Sequence, residues 1–339
     1  MTPGAALAAY KLRLRRRRLL LRALRKSREL RRVAFRLGAA PTDAVLVLST
    51  IRNEAARLPH WLDHHRALGV GHFLVVDNGS DDGTAEMLAA QPDVSLWTTA
   101  GSYKASRFGV DWLNALAFRH ARGRWCLTVD ADELWLHPHH ETRDLRALTH
   151  ELDRRGQRAM GALMLDLYPR GRLGDAPEGP AGATPEAIPW FDAGNYVRLR
   201  QPKLGNLWVQ GGPRARAFFA ADPRRAPTLS KLPLVRWDRR FAYVSSTHSI
   251  LPRRLNALYD GGAGRHLSGV LLHTKFLPEV VAKSAVEKRR GEHFENSSLY
   301  GAYYDAVAAD PVLWCERSSR LHGWRQLEGL GLMSRSGWD

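Results

Sequence analysis

Residues 124–135 read RWCLTVDADELW, and residues 72–84 read HFLVVDNGSDDGT. Each is an apolar, β-branched or aromatic run that breaks off at an aspartate, the pattern of a buried strand delivering a polar loop. Working outward, AVLVLSTIRNE (44–54) has the same form, and VSLWTT (94–99) is a further strand. Between them Ala55, Leu58, Leu62 and Leu68 fall at helical spacing, 84–90 is a short helix, and SRFGVDWLNALAFRHA (106–121) a longer one. Strands alternating with helices predict an α/β fold with a mostly parallel sheet flanked by helices. Ligands of such sheets bind beyond the carboxyl ends of the strands, where the loops RNE, DNGSDDGT and DADE converge.

The second half is less regular. GALMLDLYP (161–169), GGPRARAFF (211–219), LSKLPLVRW (229–237), YVSSTHSI (243–250) and GVLLHTKF (269–276) read as short strands. RGRLGDAPEGPAGATPEAIP (170–189) reads as a flexible loop, and 278–306 as helical. In the first 42 residues, Leu20, Leu24, Leu30, Val33, Ala34 and Leu37 recur at helical steps, which predicts one amphipathic helix over 10–37. The expected division is a basic arm (1–42), an α/β domain (43–290) and a C-terminal helical segment (291–339).

The formal charge of +17 is unevenly placed. Residues 11–36 hold 13 Lys or Arg against Glu29 alone, which leaves the remaining chain only mildly basic at +5. That distribution speaks against a nucleic-acid binder and for a basic amphipathic helix suited to an anionic membrane surface. Cys126 and Cys315 are too far apart in sequence to form a metal pair, and no run reaches the roughly 18 to 20 apolar residues of a membrane span. The expected location is the cytoplasm, peripheral to the inner membrane surface.

Chemistry gathers at the strand ends. Asp130 and Asp132 flank a small alanine, and two carboxylates at i, i+2 can share a divalent cation with a diphosphate; oxygen donors favour Mg²⁺ or Mn²⁺. Asp77 ends its strand before Asn78 and Gly79, placed to accept a hydrogen bond from a base or ribose, with Asp81 or Asp82 capping the helix that follows.

The stretches 49–84 and 106–135, in their order and spacing, resemble the family 2-type glycosyltransferases, in particular a bacterial branch with a GT-A fold related to families 92 and 17. The likeness is dense over 44–140 and looser through LDLYP, GGPRARAF, LSKLPLVRW, STHSI and LLHTKF to 290; residues 141–160 and those after 306 carry none of it. The resemblance implies metal-dependent, inverting transfer from a nucleotide-diphospho-sugar, UDP-linked for preference, to a glycan or glycolipid acceptor of cell-surface polysaccharide synthesis. It implies metal binding by Asp130, Asp132 and His273, with His248 as the second choice of histidine. It implies donor contacts from Arg52, Asn53, Glu54, Asp77, Asn78, Arg107, Asp130 and Lys275. Asp166, Asp192 and Glu133 are the candidates for the base that deprotonates the acceptor. The QxxRW pattern of processive synthases is absent, which favours transfer of one or a few sugars.

Two other readings compete. His60, His64, His65, His137, His139 and His140 could join the aspartates in a metal-dependent phosphohydrolase, although no HExxH-like spacing occurs. Arg214, Arg216, Arg224, Arg225, Arg239 and Arg240 could serve with the arm in nucleic-acid binding, or grip diphosphate and anionic glycans.

Overall fold

A computed structural model describes residues 3–177, 179–182, 184–281 and 301–339. The chain opens with α1 (Pro3–Lys26) and β1 (Arg31–Ala34), then β2 (Val45–Ile51), α2 (Leu58–Ala67), β3 (Val70–Asp77), α3 (Thr84–Ala90) and β4 (Val94–Thr98). It continues through α4 (Val110–His120), β5 (Trp125–Thr128), β6 (Glu133–Leu136), α5 (Leu145–Arg154), β7 (Ala159–Asp166) and β8 (Trp190–Asp192). The hairpin β9 (Val197–Arg200) and β10 (Leu207–Gln210), a short helix Gly212–Ala217, and β11 (Ser230–Arg236) follow. Then come the pair β12 (Ala242–Tyr243) and β13 (Ile250–Leu251), β14 (Ser268–His273), helix Gly301–Ala308, β15 (Ser318–Arg320) and helix Trp324–Gly329.

Nine strands form one sheet in the order β1-β4-β3-β2-β5-β11-β7-β14-β6. Six of them, β2, β3, β4, β5, β7 and β14, run in the same direction, while β1, β11 and β6 oppose their neighbours. The expected α/β fold, a mostly parallel sheet flanked by helices, is therefore present. Its strands are buried on both faces: Val45, Val47, Phe73 and Val75 enter one core with α2 and α5, while Leu46, Leu48, Leu74 and Val76 enter another with α4. Each such side chain contributes about 1.5–3 kcal/mol by leaving water.

Several expectations change. The arm is not one helix: α1 stops at Lys26, where the Ser27 hydroxyl donates to the Leu24 carbonyl, and Arg31–Ala34 instead pairs with the open edge of β4. α1 lies along α4, with Arg22 Nε 2.6 Å from Asp111 Oδ2, and buries Ala23. RWCLTVDADELW is two strands, since the Glu133 N–H turns back on the Asp130 carbonyl (3.1 Å) and β6 joins the far edge of the sheet. GGPRARAFF is a short helix, begun by Gly211 and Gly212 at positive φ. Of the helical stretch expected over 278–306, residues 282–300 lie outside the described residues, and 301–308 is helical.

The last residues belong to the same core: Trp324, Leu327, Leu332, Met333 and Trp338 pack into it, and Ser334 bridges Ser268 at the start of β14. Among the described residues, no helix is long and apolar enough to cross a membrane.

Candidate active site

On one side, the loops after β2 and β3 are sewn to each other. Asn53, in the left-handed region, donates from Nδ2 to Asp81 Oδ1 (2.7 Å) and accepts from the Asp81 N–H (3.0 Å). The Glu54 and Ala55 N–H groups reach Thr84 Oγ1 (3.0 Å) and Asp82 Oδ2 (3.1 Å), and Arg52 donates to the Asn78 carbonyl (3.1 Å). Asp77 is buried and accepts from the Gly79 and Ser80 N–H groups (3.1 and 3.2 Å), so it holds its own turn while Asp82 caps α3 through the Thr84 N–H (3.0 Å). The Asn78 side chain is occupied by the carbonyls of Thr99 and Gly101. Arg107 is bound to Asp111 (2.5 Å) and to the Val244 carbonyl (2.7 Å), a clamp on α4.

Opposite stands a wall of charge. Register alone assembles it: His273 at the end of β14 stands level with Asp166 on parallel β7 and with Glu133 on antiparallel β6. His273 Nδ1 lies 2.6 Å from Asp166 Oδ1, and Nε2 lies 3.0 Å from Asp132 Oδ2. Buried Arg214 donates to the same Asp166 oxygen (2.6 Å), while Asp166 Oδ2 has no hydrogen-bond partner among the described residues. Burial opposes ionisation here, but the charges outweigh it: His273 is pushed up by Asp132 and Asp166, and Asp166 is held down by Arg214 and His273. Asp132 is held well below the usual carboxylate range, where His273 outweighs its burial. The Asp132 carbonyl is fixed by the Thr274 N–H (2.8 Å) and hydroxyl (3.2 Å).

Lys231, buried on β11, donates to Asp130 Oδ2 (2.8 Å) and to Glu133 Oε1. The β11–β7 register shifts between Lys231 and Leu234, around Pro233, which has no N–H to give. Burial lowers Lys231, yet Asp130 and Glu133 together raise its ammonium above the ordinary value. Glu133 is raised to about 7 by burial first, and then by Asp130 and Asp132. Helix α2 holds the backbone at both ends of this segment: Trp61 Nε1 donates to the Asp130 carbonyl (3.1 Å) and His64 Nε2 to the Trp135 carbonyl (2.7 Å).

Of the two histidines proposed for a metal, His273 faces Asp132, whereas His248 turns its Nδ1 to the Ser230 carbonyl (2.6 Å). The three candidate bases are all buried and tied to cations: Glu133 to Lys231, Asp166 to Arg214, and Asp192 to both Arg216 nitrogens (3.0 Å each) and the Tyr168 hydroxyl (2.5 Å). Lys275 Nζ lies 5.9 Å from the centre of the Tyr303 ring, and its charge also acts on Asp132. The other histidines form no metal cluster: His65, His137, His139 and His140 each meet a backbone carbonyl. Sequence reasoning missed Lys231 and the partner of Arg214. The available signal was a lone lysine inside the apolar run LSKLPLV, which has to find a carboxylate when buried.

Among the described residues, no group of three or more His, Cys, Asp or Glu forms a metal cage. No family model matches the chain. A glycosyltransferase family 92 protein from Ricinus communis is 30% identical over 101 residues, 27% of this chain and 16% of that protein. One from Oryza sativa subsp. japonica is 27% identical over 107 residues, 29% and 17% of the two chains. The chain thus spans about a sixth of the length of these relatives. A solved structure, the mannosyltransferase PcManGT from Pyrobaculum calidifontis in complex with GDP-Man and Mn²⁺, shares 23% identity, with 47% of each chain covered and a TM-score of 0.28. Over a segment of its length, what the chain is similar to is a glycosyltransferase.

Proposed function

We propose that this chain transfers a sugar from a nucleotide-diphospho-sugar, UDP-linked for preference, to a glycan or glycolipid acceptor with the help of Mg²⁺ or Mn²⁺. The observation that carries this reading is the Asp132–His273–Asp166 line. Nδ1 faces Asp166 and Nε2 faces Asp132; a cation bound between Nε2 and Asp132 would replace the Nε2 proton while Asp166 held Nδ1–H, the carboxylate–histidine arrangement that presents imidazole to a metal. Asp132 Oδ2 and His273 Nε2 stand 3.0 Å apart, so both could hold one cation. Such ions need only one or two protein ligands when substrate phosphates and water complete the shell.

Asp132 and His273 would hold the cation, with Asp130 beside them, its side chain half exposed. When bound, it neutralises charge on the departing diphosphate. Asp166 and Arg214 fix the imidazole, and Lys231 cancels the charge of Asp130 and Glu133 while keeping a cation beneath the site. The Asn53 and Asp77 loops form the facing wall, where the nucleoside would lie. Transfer would be a single displacement with inversion, in which the acceptor oxygen bonds to the anomeric carbon as the bond to the diphosphate breaks and Asp166, Asp192 or Glu133 takes the hydroxyl proton. The basic face of α1 suits an anionic membrane surface, where such an acceptor would be presented.

The test is nucleotide-sugar hydrolysis and Mn²⁺ binding, the latter by electron paramagnetic resonance. Asp132→Ala is expected to lower metal-dependent turnover by about 1,000-fold and to weaken Mn²⁺ capture; wild-type behaviour of that variant overturns the assignment.

A further inference from the structure

Next to the charged wall lies a pocket that the reaction above leaves unused. It has a volume of about 320 Å³ and is walled by Trp208 and Phe219, with Arg224, Arg225 and Thr228 around it. That is the size of a small ligand site. Alternation along β10 sends Leu207 and Val209 into the core and Trp208 outward, opposite exposed Leu199 and near exposed Val197. An outward indole on a hairpin is a flat amphipathic platform.

The surround is pinned in place. Thr228 Oγ1 accepts from the Val209 N–H (3.2 Å) and lies 3.0 Å from Ser230 Oγ, and Gln210 Nε2 donates to the carbonyls of Arg224 (2.9 Å) and Ala226 (2.5 Å). Arg225 meets Asp222 at 3.1 Å, whereas the exposed Arg224 guanidinium has no acid partner among the described residues.

The pocket is continuous with the site through two chain segments. Thr228 precedes Lys231, the lysine bonded to Asp130, by three residues, on the order of 10 Å of extended chain. Phe219 follows the short helix whose Arg214 holds Asp166. The pocket and the charged wall thus share two chain segments, the one that leads into β11 and the short helix Gly212–Ala217.

We propose that this pocket binds an acidic sugar unit of the acceptor, its ring stacked on Trp208 and its carboxylate or phosphate paired with Arg224. The inference rests on the transferase reading, and it adds that the acceptor is anionic.

The experiment titrates the full chain with glucuronate, glucose 1-phosphate and neutral methyl glucoside, followed by saturation-transfer-difference NMR. One or both acidic sugars are expected to bind at least about tenfold more tightly than the neutral one. Trp208→Ala and Arg224→Glu are each expected to weaken that binding by at least about tenfold. Both sites are solvent-exposed, so melting temperature and stabilisation by UDP with Mn²⁺ should stay at wild-type values. Glucuronate alone binding identifies a uronate, glucose 1-phosphate alone a sugar phosphate, and both together a need for charge only. Equal binding of all three sugars, binding of none, or variants that bind like wild type overturn the proposal. Loss of the transferase reading shows separately, as no stabilisation by any nucleotide-sugar while the acidic sugars still bind.

Discussion

The two walls of the site are built by opposite means. The loops after β2 and β3 are tied by short-range hydrogen bonds such as Asn53–Asp81 and the Asp77 turn, with partners no more than about thirty residues apart. The facing wall sets Lys231, Arg214, His273, Asp166 and Glu133 in the interior, from four strands and a short helix spread over 133–273. A hydrogen-bonded turn loses little when one partner goes, because water can replace it. A buried ion cannot be replaced that way, so each charge of the second wall depends on its counter-charge.

The largest effect that contrast predicts comes from Arg214→Met. It leaves Asp166 buried without its guanidinium and should destabilise the fold by about 3–5 kcal/mol, measured by urea unfolding. A loss below about 1 kcal/mol would break the contrast between the walls.

Acid should come next. His64, His137 and His248 are each pushed down to about 4, chiefly by burial, against an unfolded value near 6.5. Above pH 6.5 both folded and unfolded chains keep these rings neutral, and stability is unaffected. Between pH 6.5 and 4 the unfolded chain takes up protons that the folded chain refuses, so stability falls as pH falls, by up to about 3 kcal/mol for His64. Melting temperature followed from pH 7 to pH 4 tests this, and His64→Gln should flatten the slope. An unchanged slope would show that the ring between α2 and the Trp135 carbonyl titrates freely.

Asn53→Ala should cost least, about 1 kcal/mol, through the lost pairing with Asp81 and an alanine forced to positive φ. A loss equal to that of Arg214→Met would place the two walls on the same footing.

The same division explains what could be read from the chain. β2, β3, β4 and α3 stand where apolar runs and the Asp-Asn-Gly turn put them, because strand, turn and cap are decided within a few neighbouring residues. The meeting of Asp132 with His273 was legible only through the likeness to glycosyltransferases, for it depends on registers of β14 with β7 and β6 that no local pattern encodes. β1 was misread because Arg31–Ala34 suits a helix as well as a strand, and the free edge of β4 decided between them. Helix α5 carried a legible signal that went unused, Asp144 as its cap before Leu145, Leu148 and Leu152. The roles of Asp166, Asp192 and Glu133 could not be separated from composition, since a carboxylate that holds an arginine and one that awaits a substrate look alike until burial is known.

The bridge between Ser334 and Ser268 bears on how the molecule is made. A ribosome delivers β2 to β5 early, and these strands and their helices can collapse while synthesis continues. β14 joins the sheet only much later, and until it does the two aspartates after β5 stand without His273. Ser268, its first residue, gains its bridge to Ser334 later still. A fragment released before β14 would carry the turns after β2 and β3 but not the full set of buried charges.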